Sequence, residues 1–485
     1  MKKLLLCLIL MGPLFVSAQT DPPLFIDFAK GIKGIKSSFA FNEHLNVMQI
    51  VINDANFVVV AVNEQMQLVW RASLTGHAMS VAKFKDKVIA IGATEYTNVK
   101  GPNNTYKATI LDPANGKVLL EKVIFDGSPA FTDYTSVLIS NNTFWGLGVR
   151  QSAVERKMHW VGFEKQYNET KALDVILFDD KLNPVNAIKP SIIDAPYLGM
   201  QVNKQGDVFI EWLVGGHINA YKYELGKSTP IGPLASDIGI GTKADLGDVI
   251  NDQHFRYVPS TTNMNMVYYT LLYLNGDNKA ELGVGSFDLV AGKKQYVTES
   301  FEKDHIKALT KAFITVNKKL DDPDLGNPKD LSLKYFAEEN GTVVVGLNSH
   351  FSQTGMNGYW EVEKSILING YDANLGVKFQ QFLPASSSFP NIQMPVGFHL
   401  QNNKLHVIAI DKHGMNTMNT MYGALDIPTG KWDKMLWLSK KKIDNSDYAD
   451  GPGTMWFNNS FIVPNISPKG ISQSKFDVTL QQNGY

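Results

Sequence analysis

The chain carries a single cysteine, Cys7, and it lies inside the first apolar run. That run has the form of an export signal. Met1-Lys2-Lys3 is basic, Leu4 to Val16 is apolar except for Gly12 and Pro13, and Val16-Ser17-Ala18 offers small residues for cleavage before Gln19. Residues 1–18 are therefore expected to be a signal peptide, and residues 19–485 one domain. Cys7 has almost no apolar region before it, which disfavours lipid attachment. The mature chain then holds no cysteine, which excludes disulfides, a thiolate nucleophile and thiolate metal sites. Export without disulfides suits a bacterial envelope (periplasm, cell surface or medium), where a large core holds the fold unaided.

Long hydrophobic runs are also missing. Beyond Val16 no stretch approaches the roughly 18 apolar residues of a membrane helix, so no integral membrane segment is expected. Charge of one sign is lacking too. Net charge is −1, which gives no reason to expect nucleic acid or anionic membrane as a partner. No phosphate-binding Gly loop with Lys and Ser or Thr occurs, and no Ser at nucleophile-elbow spacing. The histidines show no pair at zinc-binding helical spacing, and His406, on an apolar strand, reads as a satisfied core residue.

What the chain does have is recurrent punctuation. An apolar residue and Asp end a strand, a short turn follows, and a second apolar strand leaves it. Leu111-Asp112-Pro113-Ala114-Asn115-Gly116-Lys117 and Leu425-Asp426-Ile427-Pro428-Thr429-Gly430-Lys431 are near twins. The segments beginning at Phe287-Asp288, Tyr371-Asp372 and Phe178-Asp179 keep the frame, and Tyr223 to Lys227 gives a shortened version. A second punctuation, a polar turn often containing Asn, occurs eight times: at 41–47, 84–88, 139–144, 202–208, 262–267, 336–343, 400–405 and 457–461. The spacing averages about 59 residues, a little above a propeller blade period. Runs such as Phe57 to Val62 and Val343 to Leu347 are continuously apolar and too short for helices. They suit strands buried on both faces.

The expectation is an all-β propeller of eight four-stranded blades, with seven as the alternative. The tail supplies only three strands, at 454–457, 460–463 and 476–481. Leu24 to Phe28 is an orphan strand that would complete that blade and close the ring, hiding two sheet edges. One helix is predicted near 304–320, with Asp304 as N-cap and Ile306, Leu309, Phe313, Val316 and Leu320 on one stripe.

Four connections are longer than hairpins need: Thr94 to Thr105, Arg150 to Lys171, His350 to Trp360 and Lys412 to Thr420. In a four-strand blade they share one face. They carry Arg150, His159, Trp160, His350, Tyr359, Trp360 and His413, the candidate ligand-binding residues. Aromatics with Arg and His make adaptable recognition surfaces. Asp322, Asp324 and Asp330 have the short spacing of calcium ligands, but no Glu closes the loop, so calcium stands only as an alternative to a solvated loop. No other cofactor is expected.

Ala424-Leu425-Asp426-Ile427-Pro428-Thr429-Gly430-Lys431 resembles the repeat of quinoprotein-like eight-bladed propellers, whose consensus is Ala, any, Asp, two any, Thr-Gly. That family includes quinone-dependent dehydrogenases and non-enzymatic envelope scaffolds. Its docking Trp, four residues after the Gly, is replaced here by Lys434, with Trp432 and Trp437 out of frame. The adjacent cysteine pair of the dehydrogenases is absent. The resemblance therefore implies the fold without the quinone enzyme. The export signal and the Asn- and Lys-rich turns resemble secreted proteins of the Bacteroidota envelope. The reading is a monomeric binding or scaffold propeller that recognises a protein or glycan through its long loops. The alternative is a glycan hydrolase using two carboxylates of the central channel.

Overall fold

The structure is a computed structural model. It describes residues 25–93, 105–127, 133–140, 145–158, 164–239, 254–275, 277, 279–317, 322–355, 358–390, 396–413, 417–438, 448–469 and 475–485. Residues 1–18, expected to be a signal peptide, lie outside these residues.

Eight antiparallel sheets follow one another along the chain. The first strands of blades 1 to 6 touch in succession, and that of blade 8 touches that of blade 1, around a central channel. Blades 1 to 7 begin at Gly34, His77, Asp133, Tyr197, Phe255, Leu331 and Gly397. The eighth is built from both chain ends. Phe25–Ile32 pairs with Lys475–Gly484, which pairs with Ser460–Lys469. The orphan N-terminal strand thus closes the ring as the sequence predicted, and the count is eight. All eight predicted polar turns lie between the first and second strands of a blade, and the Asp-led turns lie between the third and fourth.

The core is not one cluster. It is divided into eight apolar clusters, one in each seam between neighbouring blades. Strand alternation explains this. Val343 and Val345 point into the seam with blade 5, while Val344 between them points into the seam with blade 7. A second strand must therefore be apolar at every position, which is why these segments read as unbroken runs.

The helix spans Lys303–Val316 between blades 5 and 6. Its cap is Glu302, two residues before the expected Asp304, and makes no side-chain capping bond. Phe313 is buried edge-on to Phe382, 5.8 Å between ring centroids. Val316 is 80% exposed, and Ile314 packs in its stead. The predicted stripe therefore fails at its last turn, where the helix has passed the edge of blade 6. Leu320 lies outside the described residues. His305, in the first turn, meets Glu299 at 2.7 Å. Glu299 also accepts from Asn369 at 2.8 Å and Gln380 at 2.6 Å, which ties the helix to both blades.

Candidate functional site

Connections from second to third strand and from blade to blade share one face of the ring. Three of the segments expected there as long loops are largely strand. In blade 3 the strands Trp145–Met158 and Glu164–Phe178 stay paired from Gly146–Leu177 out to Met158–Glu164. Their neighbours stop earlier, at Ser152 and Val175. The rest is a two-stranded arm beyond the blade. In blade 6, Thr342–Gly355 parts from its third strand after Leu347 and from its first after Ser349, and pairs from His350 onward with Gly358–Glu363. Ser387–Pro390 adds a third strand to this flap. In blade 7 the pairing runs on to His413–Thr417, well past Ile408, where the inner strand ends. Their sequence lacks a continuous apolar run and reads as loop. The segment 94–104 lies outside the described residues.

Arg150 stands at the root of the blade 3 arm. Its Nε donates to Thr170 Oγ1 at 2.8 Å, and its guanidinium lies 5.1 Å from the centre of the Tyr197 ring on blade 4. His350 stands at the root of the blade 6 flap, with Nε2 2.9 Å from Glu361 Oε2. Ser352, directly opposite Glu361, donates to the same carboxylate at 2.8 Å. Trp360 is half-buried in the flap, opposite Gln353 and Pro390. Tyr359 pairs with Thr354 and His413 with Thr417, but their side chains lie outside the described set, as do His159 and Trp160 altogether. His350, Tyr359 and Trp360 thus fall on the blade 6 flap and His413 on the second strand of blade 7, and the flap strand Ser387–Pro390 touches that second strand. Arg150 lies three blades away.

The channel wall adds residues that sequence reasoning missed. Bulges interrupt the inner strands of blades 1, 2, 4 and 6 at Lys36, Met79, Leu198 and Lys334. All four fall at about the same height, near the arm-bearing face. A bulge re-aims a side chain, and its recurrence in four blades makes a shared level in the channel. Lys334 Nζ pairs with Glu363 at 3.0 Å, both side chains largely buried. Asn348 and Ser332 continue that chain at 3.5 and 3.4 Å. Arg256 of blade 5 donates to the Leu333 carbonyl beside the bulge. No sequence signal marks a bulge in a single chain.

Two buried acids stand out. Glu211 lies in the seam between blades 4 and 5, between Phe209 and Leu213. Burial holds its carboxyl well above the usual range, and the Tyr257 side chain opposes this. Gly199, directly opposite Glu211, leaves the space into which the Tyr257 ring fits. Asp450 begins a turn that splits the inner strand of blade 8 between Tyr448–Ala449 and Met455–Trp456. Burial pushes it up to about 6, opposed by the Gly453 N–H at 3.0 Å. Neither acid is shifted by a second carboxylate, so the paired carboxyls of a glycosidase are not assembled at either one. Asp324, the middle residue of the calcium alternative, is held by Lys364 at 2.7 Å. Among the described residues no three acidic or histidine side chains are grouped to hold a metal. His406 is buried, with Nδ1 2.8 Å from the Tyr422 hydroxyl, and is a core residue as expected.

No known protein family and no curated protein matches this sequence. Among solved structures, the WD40 domain of SCAP from fission yeast is similar over 96% of this chain and 98% of its own, at 10% identity and a TM-score of 0.40. The β-propeller domain of the Trilobed protease from Pyrococcus furiosus, with an open velcro topology, covers 84% of this chain and 98% of its own, at 10% identity and a TM-score of 0.38. The polysaccharide lyase Uly1 covers 84% and 90%, at 8% identity and a TM-score of 0.33. The likeness is a general propeller one.

Proposed function

We propose that this propeller is an exported binding or scaffold protein that recognises a protein or glycan through the face bearing the arms of blades 3, 6 and 7. The observation that supports this is the contrast among connections of the same kind. Blades 1 and 4 join their second and third strands across two residues, 54–55 and 215–216. Ring closure therefore does not require arms. Ordering strands beyond the body of a blade costs conformational entropy. A ligand contact offsets that cost, and free strand edges with Arg, His and aromatic side chains are suited to it.

The test is to shorten the arms and leave the blades intact. Residues 154–168 are replaced by Asn-Gly, which makes a tight hairpin turn, and the flap tip and 412–420 are cut in the same way. Binding of the mature chain to immobilised envelope proteins and to a glycan array is then compared with that of the shortened forms. The reading predicts unchanged thermal unfolding and loss of the retained ligand. Retention of that ligand by a folded protein lacking all three arms would refute it.

A further inference from the structure

The seam between blades 8 and 1 is closed by the N-terminal strand, and it is closed incompletely. Phe25–Ile32 pairs with Lys475–Gly484 through two register shifts, at Asp27/Ala29 and Ala29/Ile32. Gly31 between them has φ +66°, a conformation that favours glycine. The strand bends instead of lying flat on blade 1. A cleft of about 330 Å³ remains, with Phe28 and Ile32 on one wall and Ile50, Val58, Val60 and Leu68 on the other. Its floor is well buried, while Leu68 at the rim is 52% exposed.

The charged groups at this cleft are Asp27, Lys30 and Arg71. Asp27 and Lys30 face each other at 3.7 Å and offset each other. Arg71 is exposed and has no ion-pair or hydrogen-bond partner among the described residues. It lies directly opposite Val60 in the sheet, so its side chain rises from the same face as the apolar wall.

We propose that this cleft binds a straight-chain monocarboxylate, with the chain between the two blades and the carboxylate on Arg71. Ligand sites are mostly apolar with a few placed polar groups. A methylene takes about the room of a water, ~30 Å³, so the cleft holds a chain of roughly ten carbons. A guanidinium fork matches a carboxylate in geometry and in charge, whereas a phosphate dianion would be left half-neutralised. This site lies at the outer rim of the ring and is independent of the arm-bearing face.

Dodecanoate is the probe, titrated calorimetrically below its micelle concentration into the full mature chain, with dodecyltrimethylammonium as the control of opposite charge. The expected result is one site per chain. Arg71→Glu should weaken dodecanoate by about tenfold or more and confer binding of the cationic amphiphile, while Arg71→Lys falls between. Arg71 is exposed, so these variants are expected to fold, and thermal unfolding checks that they do. Leu68→Trp, which narrows the mouth, should weaken dodecanoate. The proposal is overturned if dodecanoate at about 100 µM gives no saturable heat. It is equally overturned by many weak sites, or by affinity that is indifferent to Arg71→Glu.

Discussion

Trp70 of blade 1 lies against Gly116 in the turn of blade 2: a β-carbon on Gly116 would fall 2.6 Å from Trp70 Cε3. The indole N–H donates to the Pro113 carbonyl at 2.6 Å, so blade 1 is latched to the turn of blade 2. Phe379 of blade 6 stands in the same way against Gly430 of blade 7. Trp70→Ala is expected to cost about 3–5 kcal/mol, the usual range for a buried aromatic. Gly116→Ala should cost about 1–3 kcal/mol, since φ there is +72°. Urea unfolding of both variants measures this, and losses near zero would show that the latch contributes nothing.

Stability should fall on mild acidification because of two histidines, the buried His406 and the half-buried His399. Burial lowers His399 and His406 to about 4, and their mutual repulsion adds to the effect at His406. A folded value below the unfolded 6.5 means stability that is fully present above pH 6.5 and lost as pH falls through about 4. Each shift corresponds to about 3 kcal/mol, and the two are not additive. His399 is stacked on Trp456 at 5.0 Å, so His399→Phe keeps the contact and removes the charge. Its unfolding free energy should change less between pH 7 and pH 4.5 than that of the parent. Equal slopes would contradict the assignment.

Asp450 acts with the opposite sign. Its folded value, about 6, lies above the ordinary 3.8. The stability it contributes is present below pH 3.8 and lost as pH rises through about 6. Asp450→Asn keeps an acceptor for the Gly453 N–H and removes that loss, so the variant should exceed the parent by about 3 kcal/mol at pH 7.5 and match it near pH 3.5. Chemical unfolding at the two pH values reads the difference directly. A variant less stable than the parent at pH 7.5 would show that the carboxylate is compensated.

Lys222 and Asp207 form an ion pair at 2.8 Å, with side chains 2% and 8% exposed. Lys222 also donates to Asn265 at 2.7 Å, which joins blades 4 and 5. Lys222→Met strands a buried carboxylate and should cost about 3–5 kcal/mol. The double variant with Asp207→Leu should recover most of that loss. A full double-mutant cycle gives the coupling, and additive losses would argue against a shared network.

The ring was legible in the sequence because both kinds of turn carry local chemistry. Asn- and Gly-bearing hairpins at Asn402-Asn403 or Gly341 need positive φ, and they announce themselves. The latches were not legible. Trp70 and Phe379 each follow a positive-φ turn residue by four positions, the family's docking spacing, but those residues are Met66 and Leu375 rather than Gly. Alignment on glycine therefore found only Lys434 at that place. The arms were misread as loops because strands without a seam need no apolar face. Glu211 was invisible for a different reason: one sequence does not show which acid a neighbouring blade covers. The site residues were named from loop length and residue type; His350, Tyr359 and Trp360 fall on one flap, His413 on the next blade and Arg150 three blades away.

The most direct test of the proposed binding face is amide hydrogen exchange of the mature chain, alone and with a ligand captured from the envelope. The account predicts slowed exchange in 150–171, 350–363 and 409–420, with no change in the turns at 42–45, 84–88 and 400–404 on the opposite face. Protection confined to those turns, with the arms exchanging as in the free chain, would contradict it.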